Sequence, residues 1–152
     1  ETGLPEQTAA RLIITPHLAE MARLCQTTVA EVAENQIEIA RRFATANKIT
    51  VVLKSAITVI ADHRGTVYIS SRPNSGLARG GSGDLLAGLI AGLAATGLSE
   101  LNAAIVGVQL LAEAAELTRD ELGADAMTVS EVASFIPRAF KILRGEPSTA
   151  ER

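Results

Sequence analysis

Gly80-Gly81-Ser82-Gly83-Asp84 stands at the head of the apolar run Leu85 to Leu98. Four small residues let backbone N–H groups approach an anion closely, and a helix that starts there aims the positive end of its dipole at the same place. The one acid in the segment falls on the first turn of that helix. These are the parts of a phosphate cradle with a carboxylate beside it, as phosphoryl chemistry requires, since such transfer is mostly positioning and electrostatics. By residue type alone, Asp84 also suits a plain first-turn or capping role.

Two other segments carry groups of the same kind. Thr15-Pro16-His17-Leu18-Ala19-Glu20 puts a histidine just after a short aliphatic run and an acid three residues later, on the same face of a helix. Leu53-Lys54-Ser55-Ala56-Ile57-Thr58 puts a cation and two hydroxyls at the end of a β-branched run. Each has a plain reading as well: His17 as a cap or surface residue, Glu20 as a first-turn acid favoured by the helix dipole, Lys54 as a solvated strand end.

The elements that must position these groups follow from the spacing of apolar residues. Arg11 to Thr15 reads as a strand, with Pro16 opening a helix, where its missing N–H costs nothing. Val29, Val32, Ala33, Ile37, Ala40, Phe43 and Ala44 recur at helical spacing and predict one amphipathic helix from Thr28 to about Ala46. Thr50 to Lys54, Ile57 to Ala61 and Thr66 to Ser70 read as strands, the last two joined at Asp62-His63-Arg64-Gly65 as an edge hairpin. Helices are predicted over Asp84 to Thr96, Ser99 to Leu122 and Ser130 to Leu143, with breaks at Gly97 and Gly123. Gly88 and Gly92 form a Gly-x-x-x-Gly pair, expected to allow close helix packing. Strands alternating with helices imply an α/β fold with a largely parallel sheet flanked by helices, whose ligands sit beyond the carboxyl ends of the strands.

With 152 residues, the chain suits one domain, expected over residues 1–145 with a frayed polar tail over 146–152. Hydrophobic residues make up 47% but aromatics only 3%, so the core is built from Ala, Leu, Ile and Val. The net charge of -3, without a basic cluster, argues against nucleic acid or an anionic membrane as partner and for a small-molecule substrate. The apolar run from Leu85 to Leu98 is too short to span a bilayer and reads as a core helix. Cys25 is the only cysteine, which rules out an internal disulfide; with no secretory leader in view, a cytoplasmic setting is expected.

The longer stretch from Asn74 to Gly88 resembles the C-terminal signature of the ribokinase-like superfamily, and within it the NAD(P)H-hydrate dehydratases. His17 to Glu20 with its preceding Thr15-Pro16 resembles that family's Thr-Pro-His-x-x-Glu element, and Leu53 to Ile60 its Leu-Lys-Gly-Ala-x-Thr-Val-Ile strand and turn. The three stand in the family's order and the likeness runs from about Arg11 to Arg144. Asn35-Gln36-Ile37-Glu38 matches the Asn-x-x-Glu element of ribokinase-like kinases only superficially, because it falls inside a helical pattern rather than after a strand.

The resemblance implies a lyase that restores NADH or NADPH from the hydrated cofactor, using ADP or ATP with Mg2+ to turn the hydroxyl into a phosphate leaving group. It implies Asp84 as catalytic acid/base and substrate contact, and His17 as a second substrate contact. Lys54, Ser55, Ala56, Ile57 and Thr58, together with Gly80, Gly81, Ser82 and Gly83, would bind the nucleotide, and Glu20 would organise metal. A homo-oligomer, commonly a tetramer, is also implied. The alternatives are a small-molecule kinase of the vitamin-precursor type, disfavoured by His17 where those kinases tend to have Asn, and a noncatalytic nucleotide-binding subunit. The chain departs from the dehydratase pattern at Leu18-Ala19 for Pro-Gly, Ser55 for Gly, Ser75 for Pro, Arg79 for Thr and Gln109 for His. Arg79 either binds phosphate or faces solvent. The family's catalytic domain is considerably longer, and its N-terminal half has no counterpart here. That leaves a fragment, a chain completed by a partner, or a reduced nucleotide-binding module.

Overall fold

Thr50–Lys54 (β2) is a β-branched run buried over its first four residues, and Thr58–Ala61 (β3) beside it is buried throughout. Strands covered on both faces read as continuous apolar runs rather than alternating ones. The computed structural model describes residues 12–70, 80–124 and 127–146. Ser75, Arg79 and the rest of the stretch between Ser70 and Gly80, as well as the expected tail beyond Glu146, lie outside the described residues.

Ile13–Ile14 (β1) precedes Leu18–Cys25 (α1), Val29–Glu34 (α2) and Gln36–Asn47 (α3), which lead into β2 and β3. Val67–Ser70 (β4) follows, and then Ser82–Ala95 (α4), Glu100–Leu122 (α5) and Val129–Leu143 (α6). The sheet order is β1-β2-β3-β4. β1 pairs with β2 in parallel, Ile13 opposite Thr50, whereas β2/β3 and β3/β4 are antiparallel, with Lys54 opposite Thr58 and Ala61 opposite Val67. Among the described strands the sheet is therefore mixed, not largely parallel as expected. The reason lies in the connections. Ser55-Ala56-Ile57 between β2 and β3 is too short for a crossover and permits only an antiparallel return, while α1 to α3 supply the crossover that a parallel β1/β2 pair needs.

The expected hairpin of β3 and β4 is present. Asp62 is buried at its turn, and its Oδ1 accepts from the amides of Arg64 at 3.0 Å and Thr66 at 2.8 Å; Gly65 takes a φ of 85°. The long helix expected over Thr28 to Ala46 is broken at Asn35, whose backbone leaves the helical region at φ -122°, ψ 33°. Its side-chain amide donates to the Glu31 carbonyl at 3.2 Å, the local competition with helical bonding that makes Asn a poor interior residue.

Alternating residues of β2 and β3 serve two cores. Val51, Leu53, Val59 and Ala61 pack with Met21, Val32 and Phe43 of α1 to α3. Val52 and Ile60 pack with Leu86, Ile90, Leu110 and Val132 of α4 to α6. α5 is long and apolar enough to cross a membrane by length and composition, but Ala103, Ala104, Val108, Leu110, Leu111 and Ala114 on it are buried in the second core. Its close approach to α4 is made by Gly107, where a β-carbon would stand 2.7 Å from Ile90 Cγ1. Gly88 and Gly92, the pair expected to do this, are exposed and, among the described residues, have no neighbouring heavy atom within 4 Å of a β-carbon position. Leu86, Ile90 and Leu93 face the core instead, so the two glycines fall on the opposite side of α4.

Candidate active site

α4 begins at Ser82 because Gly81, its N-cap, takes φ 92°, ψ -15°, a conformation that costs other L-residues strain. Having no side chain, Gly81 makes no side-chain cap bond, and the first backbone bond of the helix runs from Leu85 N–H to the Gly81 carbonyl at 3.0 Å. The Gly83 and Asp84 amides thus have no acceptor within the helix, and the dipole's positive end faces outward at the same point. Asp84 is the third residue of α4 and is exposed. Gly80 and Gly81 are exposed as well, while Ser82 and Gly83 are half-buried.

Lys54 meets this helix start. A β-carbon position on Gly83 stands 3.5 Å from Lys54 Nζ, so the ammonium group lies against the first turn. The Lys54 ammonium also donates to the Thr15 carbonyl, and Lys54 N–H bonds the Pro16 carbonyl at 2.8 Å. A parallel bridge between His17 and Lys54 carries the β1/β2 pairing up to the site. Three sequence segments thereby converge: Thr15 to His17, Lys54, and Gly83 to Asp84.

The remaining expected residues are placed less uniformly. His17 caps α1 in a reciprocal box: its Nδ1 accepts from Glu20 N–H at 3.2 Å, and its own N–H bonds Glu20 Oε2 at 2.8 Å. Glu20 Oε1 lies 3.3 Å from His17 Nε2. Both oxygens of the expected metal residue are therefore turned to His17, and among the described residues no group of three or more His, Cys, Asp or Glu is arranged to hold a metal ion. The His17 ring is exposed beside Lys54. Thr58 is buried opposite Lys54 in the sheet, whereas Ala56 and Ile57 are exposed at the turn. Ser55 needs no glycine-like backbone; the non-glycine residues with positive φ among the described residues are Gln26 and Lys48.

Some contacts that matter here were not foreseen from the sequence. Gln36, set aside with the Asn-x-x-Glu match, reaches Ser55 Oγ with its Oε1 at 2.6 Å. Val129 at the start of α6 lies 3.8 Å from a β-carbon position on Gly81, so two helix starts adjoin the cradle. Gln109 instead of the family's His donates to the Tyr68 hydroxyl at 2.6 Å and ties α5 to β4. No periodicity or spacing in the chain signals these long-range pairs. Cys25 is half-buried on α1; burial pushes its thiol up, with the Arg42 guanidinium opposing.

The chain is similar to known proteins along most of its length. A family profile described as NAD(P)H-hydrate dehydratase matches residues 3–138. The bifunctional NAD(P)H-hydrate repair enzyme of Moorella thermoacetica is 41% identical over 138 residues, which cover 91% of this chain and 26% of that protein. The ADP-dependent (S)-NAD(P)H-hydrate dehydratase of Neisseria meningitidis serogroup B is 39% identical over 123 residues, covering 80% and 42%. The crystal structure of the ADP/ATP-dependent NAD(P)H-hydrate dehydratase of Bacillus subtilis, co-crystallized with ATP/Mg2+, superposes with a TM-score of 0.82 at 32% identity, over 87% of this chain and 48% of that one. The chain spans half or less of the length of these relatives. Its ribokinase-like fold and the match along nearly all of its own length show that it belongs to the NAD(P)H-hydrate dehydratase family.

Proposed function

We propose that the chain carries the nucleotide cradle and the acid/base group for dehydrating hydrated NADH or NADPH at the expense of ADP or ATP. The observation that carries this reading is the seating of the Lys54 ammonium against the Gly83 turn of α4, directly ahead of the exposed Asp84. A cation then adjoins helix-terminal amides, and a carboxylate follows in the same first turn. Hydroxide leaves poorly at neutral pH and phosphate leaves well. The terminal phosphoryl group moves from the nucleotide to the substrate hydroxyl, whose proton Asp84 accepts; phosphate then departs with a ring proton, and the reduced nicotinamide is restored.

In this reading Lys54 and the amides of Gly80 to Gly83 hold the polyphosphate, with the Ser55 to Thr58 turn beside them. His17 presents its ring to the hydrated substrate. Magnesium arrives on the nucleotide and neutralises its phosphates, as it commonly does at sites built from few carboxylates. Glu20 would have to leave the α1 capping box to touch it, and we assign Glu20 to the cap. A homo-oligomer belongs to the same reading by resemblance, and a cytoplasmic setting is proposed from the single cysteine.

The test is conversion of hydrated NADH to NADH by the 152-residue chain, followed by absorbance, with Mg2+ and ADP or ATP. Nucleotide-dependent conversion is the expected result. A chain that neither binds Mg-nucleotide nor turns over would overturn the reading.

A further inference from the structure

We infer that Gln36 is a positioning residue for the nucleotide: through Ser55 it fixes the turn between β2 and β3, and with it the placement of Lys54. The inference rests on the nucleotide reading above. The turn is short and largely exposed at Ala56 and Ile57, so burial does little to hold it. Its order comes from polar bonds. Ser55 N–H donates to the Ile57 carbonyl at 3.1 Å, and Ile57 N–H donates to Ser55 Oγ at 3.3 Å.

Ser55 Oγ lies 2.6 Å from Gln36 Oε1 and 2.7 Å from the Ile57 carbonyl oxygen. One hydroxyl proton serves two acceptors, one inside the turn and one on α3. The other end of the Gln36 side chain is anchored too, its Nε2 donating to the Ala33 carbonyl at 3.0 Å in the last turn of α2. Turning the amide round would give Ser55 a donor but would set Oε1 against that carbonyl. Gln36 is thus a bridge from the α2/α3 break to the hairpin turn, available because Asn35 ends one helix and Gln36 starts the next. A turn held in advance spares the ligand the entropy of ordering it, and this is how a residue without ligand contact affects affinity.

The experiment combines hydrogen exchange of the nucleotide-free chain with Mg-ADP titration and turnover, for wild type, Gln36→Leu and Gln36→Glu. Gln36→Leu keeps the size and loses both bonds. Its amides at Ser55 and Ile57 should exchange on the order of fivefold to tenfold faster, as loss of one or two net hydrogen bonds implies, while Val52 in the core is unchanged. The Mg-ADP Kd should rise by about threefold to tenfold with kcat within about twofold of wild type. Gln36→Glu retains an acceptor for Ser55 but sets its second oxygen against the Ala33 carbonyl, so exchange at the turn should fall between wild type and Gln36→Leu. Unchanged exchange in Gln36→Leu would overturn the bridge, and faster exchange with unchanged Kd would overturn its role toward the nucleotide. Failure of wild type to bind Mg-ADP or Mg-ATP would instead refute the nucleotide reading and the functional half of the inference, while the exchange data would still decide the bridge.

Discussion

Lys54, Gly83 and Asp84 divide the work at the site into charge, space and proton transfer. Replacing Asp84 by Asn keeps the shape and removes the base, so kcat is expected to fall by about 10²-fold or more while nucleotide Kd changes little, as steady-state kinetics beside equilibrium titration will show. Lys54→Ala has the opposite signature: affinity for Mg-ADP drops by roughly tenfold, the range of one charge-assisted contact, and an unchanged Kd would remove Lys54 from the phosphate. Gly83→Ala separates space from stability. Its β-carbon would sit 3.5 Å from Lys54 Nζ, an ordinary contact, and Gly83 has no positive φ to protect. The variant should fold as well as wild type, yet bind Mg-ADP more weakly because the methyl group occupies the gap between ammonium and helix start. Asp84 and the glycines were legible from residue type and order. That Lys54 shares their site followed only from the family resemblance, because no local pattern encodes where a strand end meets a distant helix.

At the scale of elements, the two helical glycine sites behave differently despite identical chemistry. Gly88→Ala, on the exposed side of α4, should raise stability by about 0.5–1 kcal/mol through helix propensity alone. Gly107→Ala gains the same propensity but drives a methyl group to within 2.7 Å of Ile90 Cγ1, and overpacking of about 1–3 kcal/mol outweighs it. Urea denaturation of both variants should therefore move the midpoint in opposite directions. The sequence named the wrong glycines because a Gly-x-x-x-Gly spacing states what could approach closely, not which face of α4 turns inward. The division of the helical pattern at Asn35 was hidden for a related reason. Apolar spacing continues across residue 35, and only the Asn35 side chain, bonded to the Glu31 carbonyl, stops the backbone.

For the whole molecule, β2 and β3 are the structural link, since each feeds alternate side chains to both cores. Leu53 belongs to the core beneath α1 to α3, and Tyr68, the only tyrosine, packs on the other one. Leu53→Ala should cost about 2–5 kcal/mol. It should shift the unfolding curve followed by Tyr68 fluorescence by the same amount as the curve followed by circular dichroism, because a shared sheet makes the two cores one cooperative unit. Separate transitions for the two probes would show that the layers unfold independently.

The sequence by itself determined the element types, the hairpin at Asp62 to Gly65, the small-residue start of α4 and the chemical classes available at the site. These depend on local rules: β-branched runs, helical periodicity and the freedom of glycine. Tertiary structure alone decided the mixed sheet, the seating of Lys54 on Gly83 and the bridge from Gln36 to Ser55. Each of these joins residues through space, and burial and hydrogen-bond satisfaction select such pairings only once the two cores have closed on the sheet.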